Sequence, residues 1–514
     1  MAERIGEHSL ARLAEQSFER HGDYDSLWFE GSWHSSASLT ERTQRLAQGL
    51  VELGLEPGDR VVVLMSNCPE VGIAYGAVWR AGAVLTPAVF LLSPEELRHV
   101  LSDSEATAVI TTRDLEPVAT EAKVGLPSLR WVVTTEGEGE LTLAALAAAE
   151  PGRIVPRDDA DLAALMYTGG TTGRAKGVML SHEALWRAGK AGQQASYVAG
   201  IKRNLVTLPL SHAYGLLVTA AGLHSVEPNV TTLLRWFDST AFLTLVQEHS
   251  VEISAVVPSM IQALLASPLE DYDLSSLRYL VCGAAPLSPE SARELAERLP
   301  NVELREGYGL TESSALVSTN PPGRVRPGSV GLPVSGNEVR VVGEKDEELP
   351  HGEVGEVCCR SPFLMLGYWR DPALTEETTR GGWLHTGDMG YVDEEGYLFV
   401  VDRKKDLIIR GGFNVFPRDV EDALLEHPAI EAAGVVGRPD EAHGEEVVAF
   451  VALRPGHELA EPELVAYAKE RLGGYKYPRE VRIVRDVPLT PVGKVDRKAL
   501  RARLRERRHG WRLN

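Results

Sequence analysis

Cysteine is scarce in this chain of 514 residues, where only Cys68, Cys282, Cys358 and Cys359 occur. Their spacing does not match a zinc site, and so low a density excludes a disulfide-rich scaffold. Few thiols are typical of proteins from a reducing compartment, so the composition favours a cytoplasmic location.

The sequence also lacks a long uninterrupted apolar run. The stretch from Val71 to Leu92 is broken by Arg80 and Pro87, and the charged N-terminus has no apolar core of a signal peptide. A helix that spans a bilayer needs about 20 consecutive apolar residues. We therefore expect no transmembrane segment.

Positive charge is in deficit, since 53 Lys and Arg residues face 73 Asp and Glu residues, giving a net charge of −20. Binding to nucleic acid needs a basic field, so nucleic acid is not expected as a partner. Two catalytic motifs are missing as well. The absence of Gly-x-Ser-x-Gly disfavours a serine hydrolase, and the absence of a Walker A motif disfavours a P-loop NTPase.

The segment from Tyr167 to His182 is instead dense in glycine and threonine. Leu162–Met166 predicts a buried strand and Ser181 predicts a helix N-cap, so a turn should lie between them. Glycine lets backbone N–H groups approach an anion, while hydroxyls add donors and a lysine adds charge. The pattern predicts a phosphate-binding loop with the ligands Thr168, Gly169, Gly170, Thr171, Thr172, Gly173 and Lys176.

This loop resembles that of the adenylate-forming superfamily, which includes acyl-CoA synthetases, peptide-synthetase adenylation domains and firefly luciferase. Further segments resemble the later motifs of that superfamily in the same order. They are LPLSHAYG (208–215), EGYGLTE (306–312), TGD (386–388), DRKKDLIIRGGFN (402–414) and LTPVGKVD (489–496). The resemblance thus spans nearly the whole chain.

The length exceeds what one hydrophobic core usually supports, so at least two domains are expected. Up to about residue 320, strand-like runs such as 60–65 and 108–111 alternate with helix-like runs such as 70–80 and 289–298. This alternation predicts parallel sheets covered by helices. Short strand-like runs between 321 and 401 indicate a β-rich subdomain, and a smaller α+β unit follows. We expect an α/β fold with an N-terminal adenylation domain, residues 1–401, and a small mobile C-terminal domain, residues 402–514.

The resemblance implies an AMP-forming acid–thiol ligase that uses ATP, Mg²⁺ and coenzyme A. A carboxylic acid would first form an acyl-adenylate and then a thioester. In such an enzyme Lys494 would lie beside the carboxylate and the α-phosphate, and Glu312 with Thr172 would bind magnesium. His212 would act as a gate near the acyl carboxylate.

The remaining roles also come from the resemblance. Tyr308 would stack on adenine, and Asp388 with Arg403 would bind the ribose. The implied ATP-binding residues outside the phosphate loop are Gly283, Ala284, Ala285, Tyr308, Gly309, Thr311, Asp388 and Arg403. Lys405 matches the hinge about which the C-terminal domain turns. The turn would exchange Lys494 for a coenzyme A channel at Gly411, Gly412 and Phe413.

The acyl pocket implied by the resemblance comprises His212, Val257, Cys282, Gly283, Gly307, Ser313 and Leu316. The segments around them contain no arginine or lysine, so an apolar monocarboxylate, fatty or aromatic, is favoured over a dicarboxylate. Two departures from the common pattern stand out. Gly169 replaces a frequent serine, and Glu306 replaces a glutamine and could either turn outward or tune the substrate.

Three rival functions share these motifs. An acyl-AMP ligase would load the phosphopantetheine of a carrier protein, but Gly473–Arg479 resembles the corresponding stretch of CoA ligases. A nucleotide-binding regulator without turnover is disfavoured because both Lys494 and Glu312 are present. A luciferase-like oxygenase differs only in its substrate. The sequence is compatible with a homodimer and does not decide the oligomeric state.

Overall fold

A computed structural model describes residues 4–137, 141–168, 175–440, 442–490 and 494–506. The strands of the described residues are β1 (Asp25–Phe29), β2 (Ser32–Ser35), β3 (Arg60–Leu64), β4 (Val84–Ala88), β5 (Ala108–Thr111), β6 (Trp131–Thr134), β7 (Leu162–Thr168), β8 (Lys176–Ser181), β9 (Arg203–Val206), β10 (Val230–Leu233), β11 (Ile253–Val256), β12 (Tyr279–Cys282), β13 (Glu303–Tyr308), β14 (Ser318–Thr319), β15 (Leu332–Pro333), β16 (Glu338–Val342), β17 (Gly355–Arg360), β18 (Gly367–Tyr368), β19 (Leu384–Val392), β20 (Leu398–Arg403), β21 (Ile408–Arg410), β22 (Phe413–Val415), β23 (Ile430–Asp440), β24 (Gly444–Leu453) and β25 (Glu480–Val484).

The α-helices of the described residues are α1 (Leu10–His21), α2 (Ser36–Glu52), α3 (Pro69–Arg80), α4 (Pro94–Asp103), α5 (Glu116–Lys123), α6 (Leu143–Leu146), α7 (His182–Ser196), α8 (Ala213–Leu223), α9 (Ser239–His249), α10 (Pro258–Leu265), α11 (Pro289–Arg298), α12 (Pro372–Thr378), α13 (Pro417–Leu425), α14 (Glu461–Arg471) and α15 (Arg497–Glu506). Helices and strands alternate through the first two thirds of the chain. None of the helices of the described residues is both long and apolar enough to cross a membrane.

Two large sheets form the N-terminal part. One has the order β18-β8-β7-β4-β3-β5-β6 and the other the order β15-β14-β13-β12-β11-β9-β10-β1-β2. The central strands of both are parallel, while β8, β18, β14, β15 and β2 pair antiparallel. Helices cover the sheets, and the apolar residues of strands and helices form the two largest hydrophobic cores. The expected α/β fold with helix-covered parallel sheets is confirmed.

Two smaller sheets complete the molecule. Strands β16, β17, β19 and β20 form an antiparallel sheet, in agreement with the β-rich segment expected between 321 and 401. After residue 406 the strands β21 to β25 form a separate sheet that packs with α13 and α14 around its own core. Because β20 continues to Arg403, Asp402 and Arg403 belong to the antiparallel sheet of the N-terminal part.

The phosphate-loop region differs from the simple turn expected between a strand and a helix. Ser181 does cap α7, since its hydroxyl accepts a hydrogen bond from the Ala184 N–H. A second strand, β8, precedes this helix and pairs antiparallel with β7, so that Thr168 lies opposite Lys176. The apolar run at 178–180 suits a buried strand, and its residues are largely buried. The loop therefore joins the two strands of a hairpin.

Candidate active site

One cavity, with a volume of about 1900 Å³, lies at the carboxyl ends of parallel strands, where α/β sheets commonly bind ligands. His212 follows β9, Gly283 follows β12 and Tyr308 ends β13. The residues expected from the sequence that line this cavity are Thr168, Lys176, His212, Gly283, Ala284, Ala285, Gly307, Tyr308, Gly309, Thr311, Glu312, Leu316, Asp388, Arg403, Lys405 and Lys494. The fold thus brings residues more than 300 positions apart to one site.

Some expected residues lie elsewhere. Cys282 is buried in a hydrophobic core, and Val257 packs against the same core. The buried Ser313 donates its hydroxyl to the Leu310 carbonyl, in a one-turn 3₁₀-helix. The sequence resemblance predicts all three on the acyl-pocket wall, whereas their side chains are engaged in packing or local hydrogen bonds. The loop residues Gly169, Gly170, Thr171, Thr172 and Gly173 fall outside the described residues.

The segment expected to line the coenzyme A channel is on the surface. Gly411 and Gly412 have φ angles of +58° and +83°, which favour glycine, and both are exposed. The side chain of Phe413 is 58% exposed and stacks on Tyr475 with the ring centroids 4.9 Å apart. In this arrangement Lys494, and not this segment, faces the cavity.

A cluster at the phosphate-loop end of the cavity joins Lys176, Tyr368 and Glu312. The Tyr368 hydroxyl donates to Oε1 of Glu312 over 2.7 Å, and Nζ of Lys176 lies 5.7 Å from the centre of the Tyr368 ring. Burial raises the pKa of Tyr368 far above its usual value, so the phenol keeps the proton that it donates. One oxygen of Glu312 is therefore held in place, on the wall of the cavity.

A second cluster joins Tyr308, Asp388 and Arg403. The Tyr308 hydroxyl donates to Oδ2 of Asp388 over 2.6 Å, and Nε of Arg403 lies 3.2 Å from Oδ1. Asp388 and Arg403 are cross-strand neighbours on β19 and β20, which explains why a motif at 386–388 meets the segment that begins at 402. Each carboxylate oxygen of Asp388 is thus held by a different partner.

Two backbone features shape the same wall. Ala284, two residues after the end of β12, has φ +68°, an unusual conformation for a residue with a side chain. Gly309 has no room for a side chain, because a Cβ there would lie 2.2 Å from the carbonyl oxygen of Ala315. The chain therefore bends sharply after β12 and packs closely against Ala315 after β13.

His212 caps the N-terminus of α8. Its Nδ1 accepts a hydrogen bond of 3.2 Å from the Tyr214 N–H, so in the neutral ring the proton resides on Nε2. Burial, with a smaller effect of the Lys494 charge, lowers the pKa of His212 to about 4. The side chain is therefore a neutral donor near pH 7 and a poor general base.

Lys494 reaches the site from the C-terminal part of the chain. Its loop is closed by Thr490, whose hydroxyl accepts from the Lys494 N–H and whose own N–H donates to the Lys494 carbonyl. Burial, then the neighbouring Arg403, lowers the pKa of Lys494 to about 8, while Asp388 and Glu312 oppose that change. The ammonium group is therefore charged at neutral pH and lies among groups from both parts of the chain.

Glu306 lies on the wall of the cavity but on the other face of β13 from its neighbour Arg305. Burial raises the pKa of Glu306 to about 7, and the guanidinium of Arg418 opposes the rise. Arg418 comes from α13 and donates to the Leu287 carbonyl over 3.0 Å. Glu306 thus lies on the cavity wall, where Arg418 from the C-terminal part of the chain is its neighbour.

Sequence reasoning missed Tyr368, Arg418 and Arg305. Tyr368 and Arg418 lie in segments without a motif, and only the folded chain brings them to Glu312 and Glu306. Arg305 could have been found from the alternation of side chains on β13, because it precedes Gly307 by two residues and shares its face.

The family model described as "AMP-binding enzyme" matches residues 14–369, and the one described as "AMP-binding enzyme C-terminal domain" matches residues 419–494. A long-chain-fatty-acid–CoA ligase of Bacillus subtilis (strain 168) is 34% identical, covering 98% of this chain and 95% of the relative. A feruloyl-CoA synthase of an Amycolatopsis species is 38% identical, with 91% and 93% covered. The crystal structure of ATP-bound MatB from Rhodopseudomonas palustris superimposes with a TM-score of 0.88 at 30% identity, with 96% and 99% of the two chains covered.

Proposed function

The chain belongs to the AMP-binding enzyme family, and from this premise we propose that it is an acyl-CoA synthetase acting on a fatty or aromatic monocarboxylic acid. ATP and the acid give an acyl-adenylate and pyrophosphate. The thiol of coenzyme A then forms the thioester and releases AMP. The observation that carries the proposal is the convergence of Lys494, His212, Glu312 and Asp388 on one cavity.

In the first half-reaction a carboxylate oxygen attacks the α-phosphorus as the bond to pyrophosphate breaks. Negative charge accumulates around that phosphorus, and a fixed cation there lowers the barrier. We assign this role to Lys494, which is charged at neutral pH. His212 donates from Nε2 to the acyl carboxylate and orients it, because its Nδ1 is already engaged by the backbone.

The nucleotide is held by the two clusters described above. Tyr308 stacks on the adenine ring, and Asp388 accepts from the ribose hydroxyls while Tyr308 and Arg403 keep its two oxygens in position. Lys176 and the loop that follows Thr168 bind the phosphates. The assignments of Tyr308, Asp388, Arg403 and Lys176 are supported by the position of all four residues on the lining of the cavity.

Magnesium fits the donor set at Glu312. Mg²⁺ prefers hard oxygen ligands and is usually bound by one or two carboxylates together with substrate phosphates. Glu312 lines the cavity and is oriented by Tyr368, which leaves its second carboxylate oxygen available to a metal ion. When bound, the ion would neutralise charge on the phosphates of ATP.

The second half-reaction requires Lys494 to leave and a path for the pantetheine arm to open. We propose that the part of the chain that follows Lys405 turns about this residue, which lies in a single 3₁₀ turn between β20 and β21. The turn would bring Gly411 and Gly412 to the cavity, where the absence of a side chain leaves room for the thiol arm. Their exposure in the present arrangement supports this exchange with Lys494.

The test is AMP release from ATP with a panel of alkyl and aromatic acids, with and without coenzyme A. We expect turnover that depends on the acid and on coenzyme A, and a product with the mass of the acyl thioester. Turnover with a phosphopantetheinylated carrier protein but not with coenzyme A would favour the acyl-AMP ligase instead. The Lys345→Ala variant, at an exposed lysine, is the matched control for substitutions of Lys494.

A further inference from the structure

Arg305 is the largest of the fully buried side chains, with 1% of its surface exposed. Its Nε, Nη1 and Nη2 atoms have no hydrogen-bond partner among the described residues. Buried polar groups in native proteins are nearly always paired, and an unpaired buried charge is costly. We therefore expect this guanidinium to bind a partner that the chain itself does not supply.

The sheet register places Arg305 on the face that borders the cavity. Arg305 lies opposite Val281, which lies beside Ala255, and Ala255 in turn lies opposite Val206. Paired residues of parallel strands point to the same face of a sheet. Val206, Ala255 and Val281 line the cavity, and Arg305 shares their row and their face of the sheet.

The surroundings of the guanidinium place it behind the cavity wall. Its Cζ lies 5.1 Å from the ring centre of Tyr279, and the side chains of Glu303 and Tyr214 are also close to it. Tyr214 lines the cavity and donates its hydroxyl to the Val281 carbonyl over 3.1 Å. The carboxylate of Glu303 accepts the Gly323 N–H at 3.0 and 3.1 Å rather than the guanidinium.

The depth of this position follows from strand geometry. Under the proposed function, the acyl carboxylate lies beside Gly283. Arg305 pairs with Val281, two residues before Gly283, so its row lies about 7 Å deeper at about 3.3 Å per residue, and its guanidinium reaches on toward the Tyr279 ring. Arg305 thus serves the far end of a long acid and is out of reach of a short one such as malonate.

We propose that Arg305 is a specificity residue that favours acids bearing a neutral oxygen acceptor at the end opposite the carboxylate. This inference rests on the proposed function and names its substrate class. A rotation of the Tyr214 side chain would open the guanidinium to a methoxy, hydroxyl or carbonyl oxygen. A neutral acceptor is favoured over a second carboxylate because Glu303 adds negative charge on the same face.

The experiment compares 4-methoxycinnamate with 4-ethylcinnamate, which have the same length and differ in one oxygen. We expect the parental enzyme to prefer the methoxy acid by about tenfold or more in kcat/KM, since each good charge-assisted hydrogen bond corresponds to about that factor. In Arg305→Met the kcat/KM for 4-methoxycinnamate, divided by that for 4-ethylcinnamate, should fall to unity or below. Arg305→Lys keeps the charge and should keep part of the preference, and Arg278→Met at an exposed arginine should leave the ratio unchanged.

Equal ratios in the parental and Arg305→Met enzymes would overturn the inference. The melting temperature supplies a second readout, because replacing an unpaired buried charge by an apolar side chain should not destabilise the fold. A large fall in melting temperature with an unchanged ratio would mean that Arg305 pairs within the protein, which also overturns it. If hexanoate reacts and neither probe does, the inference fails while the proposed function stands; if no acid reacts, the proposed function itself fails.

Discussion

The hydroxyl of Tyr308 donates to Oδ2 of Asp388 across 2.6 Å, joining the end of β13 to the middle of β19. The residue proposed to stack on adenine therefore orients the residue proposed to bind ribose. Because Arg403 holds the other oxygen, the Asp388 carboxylate has a fixed direction before the nucleotide arrives. This preorganisation reduces the entropy penalty of binding the nucleotide.

Tyr308→Phe removes this hydrogen bond and leaves the ring. We expect the KM for ATP to rise about tenfold, since a hydrogen bond to a charged group contributes about 1.5–3 kcal/mol. The KM for the acid should change little. The measurement is steady-state kinetics in which each substrate is varied in turn. Tyr391 stacks on Phe399 away from the cavity, so Tyr391→Phe is the control. An unchanged KM for ATP would contradict the role of the Tyr308 hydroxyl in orienting Asp388 for the nucleotide.

Lys494→Ala should lower the rate of adenylate formation by roughly 10²–10³, the usual effect of losing one preorganised donor at a transition state. Thioester formation from a supplied acyl-adenylate should survive, because the lysine is proposed to leave the site before that step. Single-turnover assays of the two half-reactions make the comparison. Equal losses in both would contradict the exchange of Lys494 for the glycine segment.

The rate of adenylate formation should fall as the pH rises through about 8. The pKa of Lys494 is lowered to about 8, so the charged form predominates below that pH and is lost above it. Pyrophosphate release without coenzyme A avoids any contribution from the thiol. An arginine at position 494 stays charged above pH 8. The activity of Lys494→Arg, whatever its absolute rate, should therefore not fall as the pH rises through 8.

Lys405→Pro should block the second half-reaction. Proline fixes φ near −65°, whereas a hinge must change its dihedral angles. Adenylate should accumulate without thioester, and Lys405→Ala, which leaves φ free, should transfer the acyl group normally. The hinge assignment would be withdrawn if quenched-flow analysis found thioester formed by the proline variant at the parental rate.

Longer acids should react better than acetate, because each buried CH₂ contributes about 0.8 kcal/mol. Malonate should be worse still, since its second carboxylate would lose water near Glu306 and would not reach Arg305. Competition at fixed coenzyme A measures the ranking. A higher kcat/KM for malonate than for hexanoate or benzoate would show that a cationic side chain lies near the carboxylate end of the pocket.

Much of the fold could be predicted from local patterns. The strand at 108–111 and the helix at 289–298 have the predicted bounds, because β-branched residues in one and a serine before a proline in the other mark their ends. Strand β8 was missed because its apolar residues follow glycine and lysine directly, and its partners β7 and β18 meet it only in the folded sheet. Pairing between strands is a tertiary property that a short run does not encode alone.

The site was predictable where one motif supplies the residue and less so where two distant segments meet. The motifs led to Tyr308 and Asp388 separately, and nothing in either showed that one would hold the other. Arg305 was overlooked because the pocket was derived from segments rather than from the faces of strands. The register of β12 and β13 then determined which side chains share the cavity face.

The central claim is that one cavity converts a carboxylic acid to a coenzyme A thioester through an adenylate. Its most direct test is mass spectrometry of a reaction of the full chain with ATP, Mg²⁺, hexanoate and coenzyme A, alongside one without coenzyme A. The account predicts hexanoyl-CoA with equal amounts of AMP and pyrophosphate in the first, and enzyme-bound hexanoyl-AMP in the second. Formation of ADP and phosphate, or of the thioester with no adenylate at any time point, would contradict it.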